Sequence, residues 1–182
     1  MTSLASDTPV AVAVHRPRKL VLDRSIAGCF ALATLLHVGI GARGLLLASV
    51  VAILVELAAI DLERRILPNR IVLPALLAVL AAQLALDPSF YYLTLLSAAL
   101  AGLFLLLPSL FRRGAVGMGD VKLAALIGAT LGPLAATALA LGLTAAGAAA
   151  LFMVVRSRDA LRQEIPLGPF LAAGAILAVL LS

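Results

Sequence analysis

The sequence predicts an all-α fold, a polytopic transmembrane helix bundle of about seven spans. Of its 182 residues, 63% are hydrophobic and 13% are charged, which is far more apolar sequence than a soluble core can use. Apolar stretches of helix length also follow one another from residue 26 to residue 181, with short links between them. These links leave no room for a second folded domain.

Seven apolar stretches account for the predicted spans. Several fall short of a ~30 Å hydrocarbon core at about 1.5 Å per residue, and local thinning or snorkelling of flanking Arg would make up the difference. The fifth stretch is the shortest. We separate it from the sixth at Gly132-Pro133 because proline suits the first turn of a new helix. The stretches are Ile26–Ala42, Gly44–Ile60, Ile71–Leu86, Phe90–Phe111, Val121–Leu131, Leu134–Val155 and Leu167–Leu181.

The basic residues predict the orientation of the chain. With seven spans and a cytosolic N-terminus, every one of the 14 Lys and Arg except Arg43 lies in a cytosolic segment, as the positive-inside rule requires. Merging the fifth and sixth stretches would move Arg156, Arg158 and Arg162 to the outside. The charges therefore also favour a break at Gly132-Pro133.

The predicted organisation has three parts, which are a basic cytosolic tail at 1–25, an additional N-terminal transmembrane helix at 26–43 and a six-helix core at 44–182. A cleaved signal peptide is an alternative for the first span and leaves the remaining topology unchanged. The net charge of +5 belongs to loops beside the membrane, so the lipid bilayer and not a nucleic acid is the expected partner. Cys29 has no second cysteine to pair with, and we expect it to be a packing residue.

Two aspartates are the strongest candidates for chemistry. Asp61 follows the second apolar stretch, and Asp120 closes the motif Gly117-Met118-Gly119-Asp120 and opens the fifth. A carboxylate at the edge of hydrocarbon is costly, so such acids are functional candidates by default. Each also has a structural interpretation. Asp120 can be a helix N-cap after a glycine loop, and Asp61 can mark the end of a span before the turn Leu67-Pro68-Asn69.

The predicted topology places both aspartates at the cytosolic interface, where they can act as a pair. Two carboxyl groups a few ångströms apart in a medium of low polarity do not easily both ionise, so one keeps its proton. The ionised group can take a proton from water, and the protonated group can polarise a peptide carbonyl. This chemistry needs no metal and no cofactor. The sequence does not indicate which aspartate starts as the acid.

Other polar residues in the apolar stretches have structural explanations. Lys122 can tune Asp120 or orient a substrate, but a snorkelling interfacial lysine is the expected role. Glu56 falls on a different helix face from Asp61. His37 and Gln83 are expected to form hydrogen bonds between helices. Small residues that recur every four positions predict close helix packing, at Ala138, Gly142, Ala146 and Ala150.

Three segments resemble the motifs of the type IV prepilin peptidases. The segments Asp61-Leu62-Glu63-Arg64-Arg65-Ile66-Leu67-Pro68-Asn69 and Gly117-Met118-Gly119-Asp120-Val121-Lys122 resemble the two aspartate motifs of that family. Ile165-Pro166-Leu167-Gly168-Pro169-Phe170 resembles its last-helix signature. The motifs occur in the same order, and the similar region runs from about Gly44 to the C-terminus.

This resemblance implies an aspartic endopeptidase of the bacterial inner membrane. It implies cleavage of the short basic leader of prepilin-like membrane proteins, after a glycine and on the cytosolic side. Asp61 and Asp120 would be the catalytic pair. The matched residues Gly117, Gly119, Lys122, Pro68 and Asn69 would support the motifs. Neither the substrate-binding residues nor the oligomeric state can be assigned from the resemblance.

The chain also differs from the larger members of that family, which carry a cytosolic domain with paired cysteines that is associated with N-methylation. Here the first two spans are joined by little more than Arg43-Gly44, and Cys29 has no partner. The chain therefore resembles the short, peptidase-only form associated with Tad/Flp pili, and we expect no methyltransferase activity. Two alternatives are a small transporter that uses the aspartates as a proton or cation site and a non-enzymatic subunit of a secretion assembly.

Overall fold

The computed structural model describes residues 17–111, 116–156 and 166–181, with side chains from residue 25 onward. Within these ranges the chain forms α-helices joined by short links and 3₁₀ turns at Pro88–Phe90 and Gly132–Leu134, and it forms no strand. This confirms the predicted all-α helix bundle. The helices are α1 Pro17–Val38, α2 Ala42–Arg64, α3 Asn69–Leu86, α4 Tyr91–Phe111, α5 Met118–Leu131, α6 Ala135–Arg156 and α7 Gly168–Leu181.

Helices α1 and α5 begin three or more residues earlier than the apolar pattern indicates, and α2 and α3 begin two residues earlier. Helix α1 begins at Pro17, so part of the expected tail is helical, because proline suits a first turn and the basic residues after it have good helix propensity. The rest of the expected tail lies outside the described residues. Helix α5 begins at Met118, so Gly119 and Asp120 lie in its first turn and not in a preceding loop.

The chain breaks between α5 and α6 where the sequence predicts it. Helix α5 ends at Leu131, and Gly132 has φ 56° and ψ −129°. Residues other than glycine rarely adopt this backbone conformation. Pro133 then lies in the 3₁₀ turn that leads into α6.

Helix α5 lies at the centre of the bundle and packs against α3, α4, α6 and α7. Most of its residues are buried. Its approach to α4 depends on Gly128, where an added Cβ would lie 2.8 Å from the Cα of Ala98 and 2.9 Å from the Cβ of Ala101. Such close backbone contact is the usual basis of helix association in membranes. The central position fixes the helix that begins with Asp120.

Helices α6 and α7 pack through the predicted stripe of small residues. Ala138, Gly142 and Ala146 are buried, and Ala150 is partly buried. A Cβ on Gly142 would lie 2.8 Å from the carbonyl oxygen of Phe170. The prediction of close packing is therefore confirmed, and its partner is the first half of α7.

Helix α1 packs mainly against α2. It contacts the bundle through one side, so Cys29 and His37 on its other surfaces are exposed. The expected packing role of Cys29 is therefore wrong. The exposure of His37 likewise gives no support to the hydrogen bond predicted between helices.

Several links between helices contact one another at the end of the bundle opposite to the aspartates. Arg43 forms an ion pair with Asp87, and the side-chain amide of Gln83 donates to the carbonyl oxygens of Ala129 and Thr130, both at 3.3 Å. This confirms the predicted role of Gln83. Because Arg43, Asp87 and the break at Gly132 are the predicted outer links, their common location agrees with the predicted arrangement.

The outer surface of the bundle is strongly apolar, with exposed side chains such as Leu36, Leu77 and Phe111. Within the described ranges, four helical segments are long and apolar enough to cross a membrane, if α5 and α6 are taken together across their break. They are Ala42–Arg64, Asn69–Leu86, Pro88–Phe111 and Met118–Arg156, and Ser25–Val38 and Gly168–Leu181 are shorter apolar helices. These features indicate an integral membrane protein. The number of spans stays a prediction.

Candidate active site

Asp61 lies in the last turn of α2 and is buried, with 5% of its surface exposed. The backbone N–H of Arg65 donates to the carbonyl oxygen of Asp61 at 2.8 Å. Arg65 adopts a left-handed conformation with φ 53°, which is a common way to end a helix. The chain therefore turns away within one helical turn after Asp61, whose side chain is buried in the bundle.

The first residue of α7 contacts this carboxyl group. The backbone N–H of Gly168 donates to Oδ2 of Asp61 at 3.1 Å. The first N–H groups of a helix have no partner within the helix, and Pro169, the next residue, has no N–H. Asp61 therefore caps the start of α7, although it lies on α2 and precedes Gly168 by 107 residues in the sequence.

Asp120 is the third residue of α5, and Gly117 is the N-cap. The interpretation of Asp120 as the N-cap itself is therefore wrong. An acid at the third position can reach back to the N-cap backbone, and the amide of Gly117 does interact with the Asp120 carboxyl group. A Cβ on Gly117 would lie 3.0 Å from Oδ2 of Asp120. Glycine thus leaves space for the carboxyl group to fold over the start of the helix.

The structure brings the two aspartates together. Asp61 comes from the C-terminal end of α2 and Asp120 from the N-terminal end of α5, so both lie at the same end of the bundle. They are close enough for the charge of Asp61 to act on Asp120. Glu56, by contrast, is exposed on another face of α2. Two carboxyl groups that act on each other in this way can share one proton, so one can serve as a base and the other as an acid.

The link between α2 and α3 is fixed against α5 at two points. Leu67 is buried against Gly119, where an added Cβ would lie 2.8 Å from the Cβ of Leu67. Lys122 donates from Nζ to Oδ1 of Asn69 at 2.8 Å. Lys122 therefore links α5 to the start of α3, and the snorkelling role expected for it stays a prediction. Pro68 is the N-cap residue of α3.

Leu67 and Gly168 also belong to the site, and their places in it could not be predicted from the sequence. The segment that contains Gly168 was recognised as a motif, but nothing in its spacing indicates contact with Asp61. Leu67 is indistinguishable from other apolar residues until the fold places it on Gly119. Among the residues that the structure describes, no three His, Cys, Asp or Glu side chains come together as metal ligands.

A family model for the type IV leader peptidase family matches residues 48–181. The chain belongs to this family. The match includes most of α2 and all of α3 to α7, and therefore both aspartates.

Two similar proteins are each described as a prepilin leader peptidase/N-methyltransferase. The one from Bacillus subtilis (strain 168) is 40% identical over 134 residues, which are 71% of this chain and 53% of that protein. The one from Burkholderia pseudomallei (strain 1026b) is 37% identical over 129 residues, or 68% of this chain and 42% of that protein. The chain thus spans about half the length of the curated relatives it matches. No solved structure matches it significantly.

Proposed function

We propose that the protein is a membrane-embedded aspartic endopeptidase that removes the short basic leader from prepilin-like membrane proteins. The observation that carries the proposal is the meeting of Asp61 and Asp120 at one end of the bundle. The two residues are far apart in sequence and each begins or ends a helix. Membership of the leader peptidase family and the names of the relatives support the same activity.

The first chemical step uses one aspartate as a base and the other as an acid. The carboxylate takes a proton from a water molecule while the water oxygen bonds to the peptide carbonyl carbon. The carboxylic acid donates its proton to the carbonyl oxygen. A neutral gem-diol forms, and the two aspartates have exchanged protonation states.

The second step breaks the peptide bond and restores the pair. The newly ionised aspartate takes a proton from one hydroxyl group of the gem-diol, and the other aspartate donates its proton to the peptide nitrogen. The C–N bond breaks, which releases a carboxylic acid and an amine. Because the cycle needs one ionised and one protonated carboxyl group, activity should rise and then fall as pH increases.

We further propose that the site faces the cytosol of a bacterium, across its inner membrane. Seven spans with a cytosolic N-terminus would put all Lys and Arg except Arg43 on the cytosolic side, in accord with the positive-inside rule. A basic prepilin leader would stay on that side while the apolar helix behind it enters the bilayer. The bond between them would then meet the enzyme at the depth of Asp61 and Asp120.

The proposed activity does not include methyl transfer, although both relatives are named for it as well. Helix α1 ends at Val38 and α2 begins at Ala42, so no domain is inserted between the first two helices. This supports the short, peptidase-only form that resembles the enzymes of Tad/Flp pili. Purified protein given substrate and S-adenosylmethionine should release a mature N-terminus without the added mass of a methyl group.

Cleavage by the purified protein tests the proposal. The protein is placed in liposomes with a synthetic substrate that has a basic leader, a glycine and an apolar helix. Mass spectrometry should find two products that together equal the substrate plus one water, cut directly after the glycine. If the substrate stays uncut and protons or cations cross the liposome membrane, the result would favour a transporter over a peptidase. Uncut substrate without flux would favour a non-enzymatic subunit.

A further inference from the structure

We infer that Gly168 is a positioning residue whose backbone N–H holds Asp61 as the ionised member of the pair, so that Asp120 carries the proton. The inference rests on the proposed function and adds the roles of the two aspartates. Asp61 would be the base that activates water, and Asp120 would be the acid that protonates the carbonyl oxygen.

Only glycine fits at position 168, because the Asp61 carboxyl group occupies the space that a side chain would need. An added Cβ at position 168 would lie 2.7 Å from Oδ2 of Asp61, 3.2 Å from its Cγ and 3.3 Å from its Cβ. Among the described glycines, Gly39 and Gly132 have positive φ, and Gly168 does not. Backbone conformation therefore does not explain the glycine. Its lack of a side chain is what allows the start of α7 to reach the carboxyl group.

The hydrogen bond distinguishes Asp61 from Asp120. Asp61 accepts it from a different helix, at an N–H that has no partner within α7, whereas the amide near Asp120 belongs to the same helix turn. A hydrogen bond is stronger when its acceptor is ionised, so this contact favours Asp61 as the carboxylate. With Oδ2 occupied as an acceptor, Asp61 is arranged to receive a proton through its second oxygen.

Asp120 is the titratable group that faces Asp61. Helix α7 contributes no titratable side chain between Gly168 and Leu181. Lys122 is partly buried and donates to Asn69. The other described titratable side chains on α2 and on the helices packed against it are exposed, at Cys29, His37, Arg43, Glu56, Glu63, Arg64, Arg65 and Arg70. A change at Gly168 should therefore act on pH dependence through the aspartate pair.

Two variants break this contact in different ways. Gly168→Ala adds a Cβ that would push the Asp61 carboxyl group away from the N–H, and Gly168→Pro replaces the N–H by a ring carbon. Proline is compatible with the first position of a helix. The control is Gly147→Ala, because a Cβ at Gly147 meets nothing within 4 Å. Cleavage by each purified protein is measured from acid to alkaline pH, with kcat and KM determined separately.

If Asp61 is ionised in the active form, loss of its hydrogen bond makes the first ionisation of the pair harder and leaves the second unchanged. Relative to the wild type and to Gly147→Ala, both Gly168 variants should therefore shift the acid limb of the kcat profile to higher pH by about one unit. Their alkaline limbs and their KM values should not move. A shift of the alkaline limb alone would make Asp120 the ionised member. Profiles that match the wild type in both variants would show that the N–H has no such role.

Chemical labelling of the unaltered protein tests the assignment of the two aspartates if the Gly168 variants do not fold. A hydrophobic carbodiimide reacts with protonated carboxyl groups in apolar surroundings. It should label Asp120 and not Asp61 near neutral pH, and both near pH 4, which shows that it reaches both. Label on Asp61 near neutral pH would overturn the inference. Because wild-type cleavage is measured first, failure here is distinct from failure of the peptidase proposal.

Discussion

At the scale of single residues, the candidate site depends on two glycines that allow neighbouring segments to come close. Gly119 has no side chain where Leu67 packs, and Gly168 has none where Asp61 lies. The first contact fixes the link between α2 and α3 on α5, and the second fixes α7 on α2. The aspartates could be predicted because acids are rare in apolar sequence. These two contacts could not, because they arise only where distant backbones approach each other.

Replacement of Gly119 should move Leu67 and disturb the pair. Gly119→Ala should lower the free energy of unfolding by about 1–3 kcal/mol, as overpacking usually does, and should also slow cleavage. In the double variant with Leu67→Gly, the Cβ that the new methyl group would meet is removed, and the space is restored. A double-mutant cycle should therefore show that the double variant is more stable than the sum of the two changes predicts. Additive effects would mean that the two residues do not meet.

The hydrogen bond from Lys122 to Asn69 should be replaceable by an ion pair. Asn69→Ala leaves the ammonium group without its acceptor and should lower the free energy of unfolding by about 1 kcal/mol. Asn69→Asp keeps an acceptor at the same position and should preserve both stability and cleavage. Thermal unfolding and initial cleavage rates of both variants provide the measurement. If Asn69→Asp and Asn69→Ala lose stability equally, the hydrogen bond from Lys122 does not hold α3 against α5.

At the scale of helices, the sequence predicts most of the bundle and misses how it is joined. The apolar stretches give the ends of α2 to α7 to within four residues, and the break at Gly132 follows from charge and proline. The apolar pattern does not show that α1 begins at Pro17. It also does not show that α1 contacts the bundle on one side, which leaves Cys29 exposed. The small-residue stripe in α6 predicts close packing but does not identify α7 as the partner.

Contact between α6 and α7 should matter for both stability and activity, because α7 contacts Asp61 at its first residue. Gly142→Leu would drive a side chain into the backbone at Phe170 and Leu171, and should cost about 1–3 kcal/mol in the free energy of unfolding. The control Gly147→Leu faces open space on the same helix and should unfold as the wild type does. Equal unfolding temperatures for the two leucine variants would contradict the observed packing.

At the scale of the whole molecule, the proposed orientation in the membrane decides whether the site can meet its substrate. Arg65 and Ser89 lie at opposite ends of α3, in the links that precede and follow it. In a Cys29→Ser background, a cysteine at Arg65 should react with a membrane-impermeant thiol reagent only after the membrane is opened. A cysteine at Ser89 should react in spheroplasts. The reverse pattern would place the aspartates outside, where a cytosolic leader cannot reach them.

The central claim is that Asp61 and Asp120 together perform the cleavage, and the most direct measurement compares three matched aspartate variants. Asp61→Asn and Asp120→Asn should each reduce the rate of leader removal by about 10³-fold or more, because each lacks one half of the acid–base pair. Asp87→Asn carries the same change at the other end of the bundle, where Asp87 pairs with Arg43, and should cleave at the wild-type rate. All three should remain folded in the membrane. Cleavage near the wild-type rate by either of the first two variants would contradict the account.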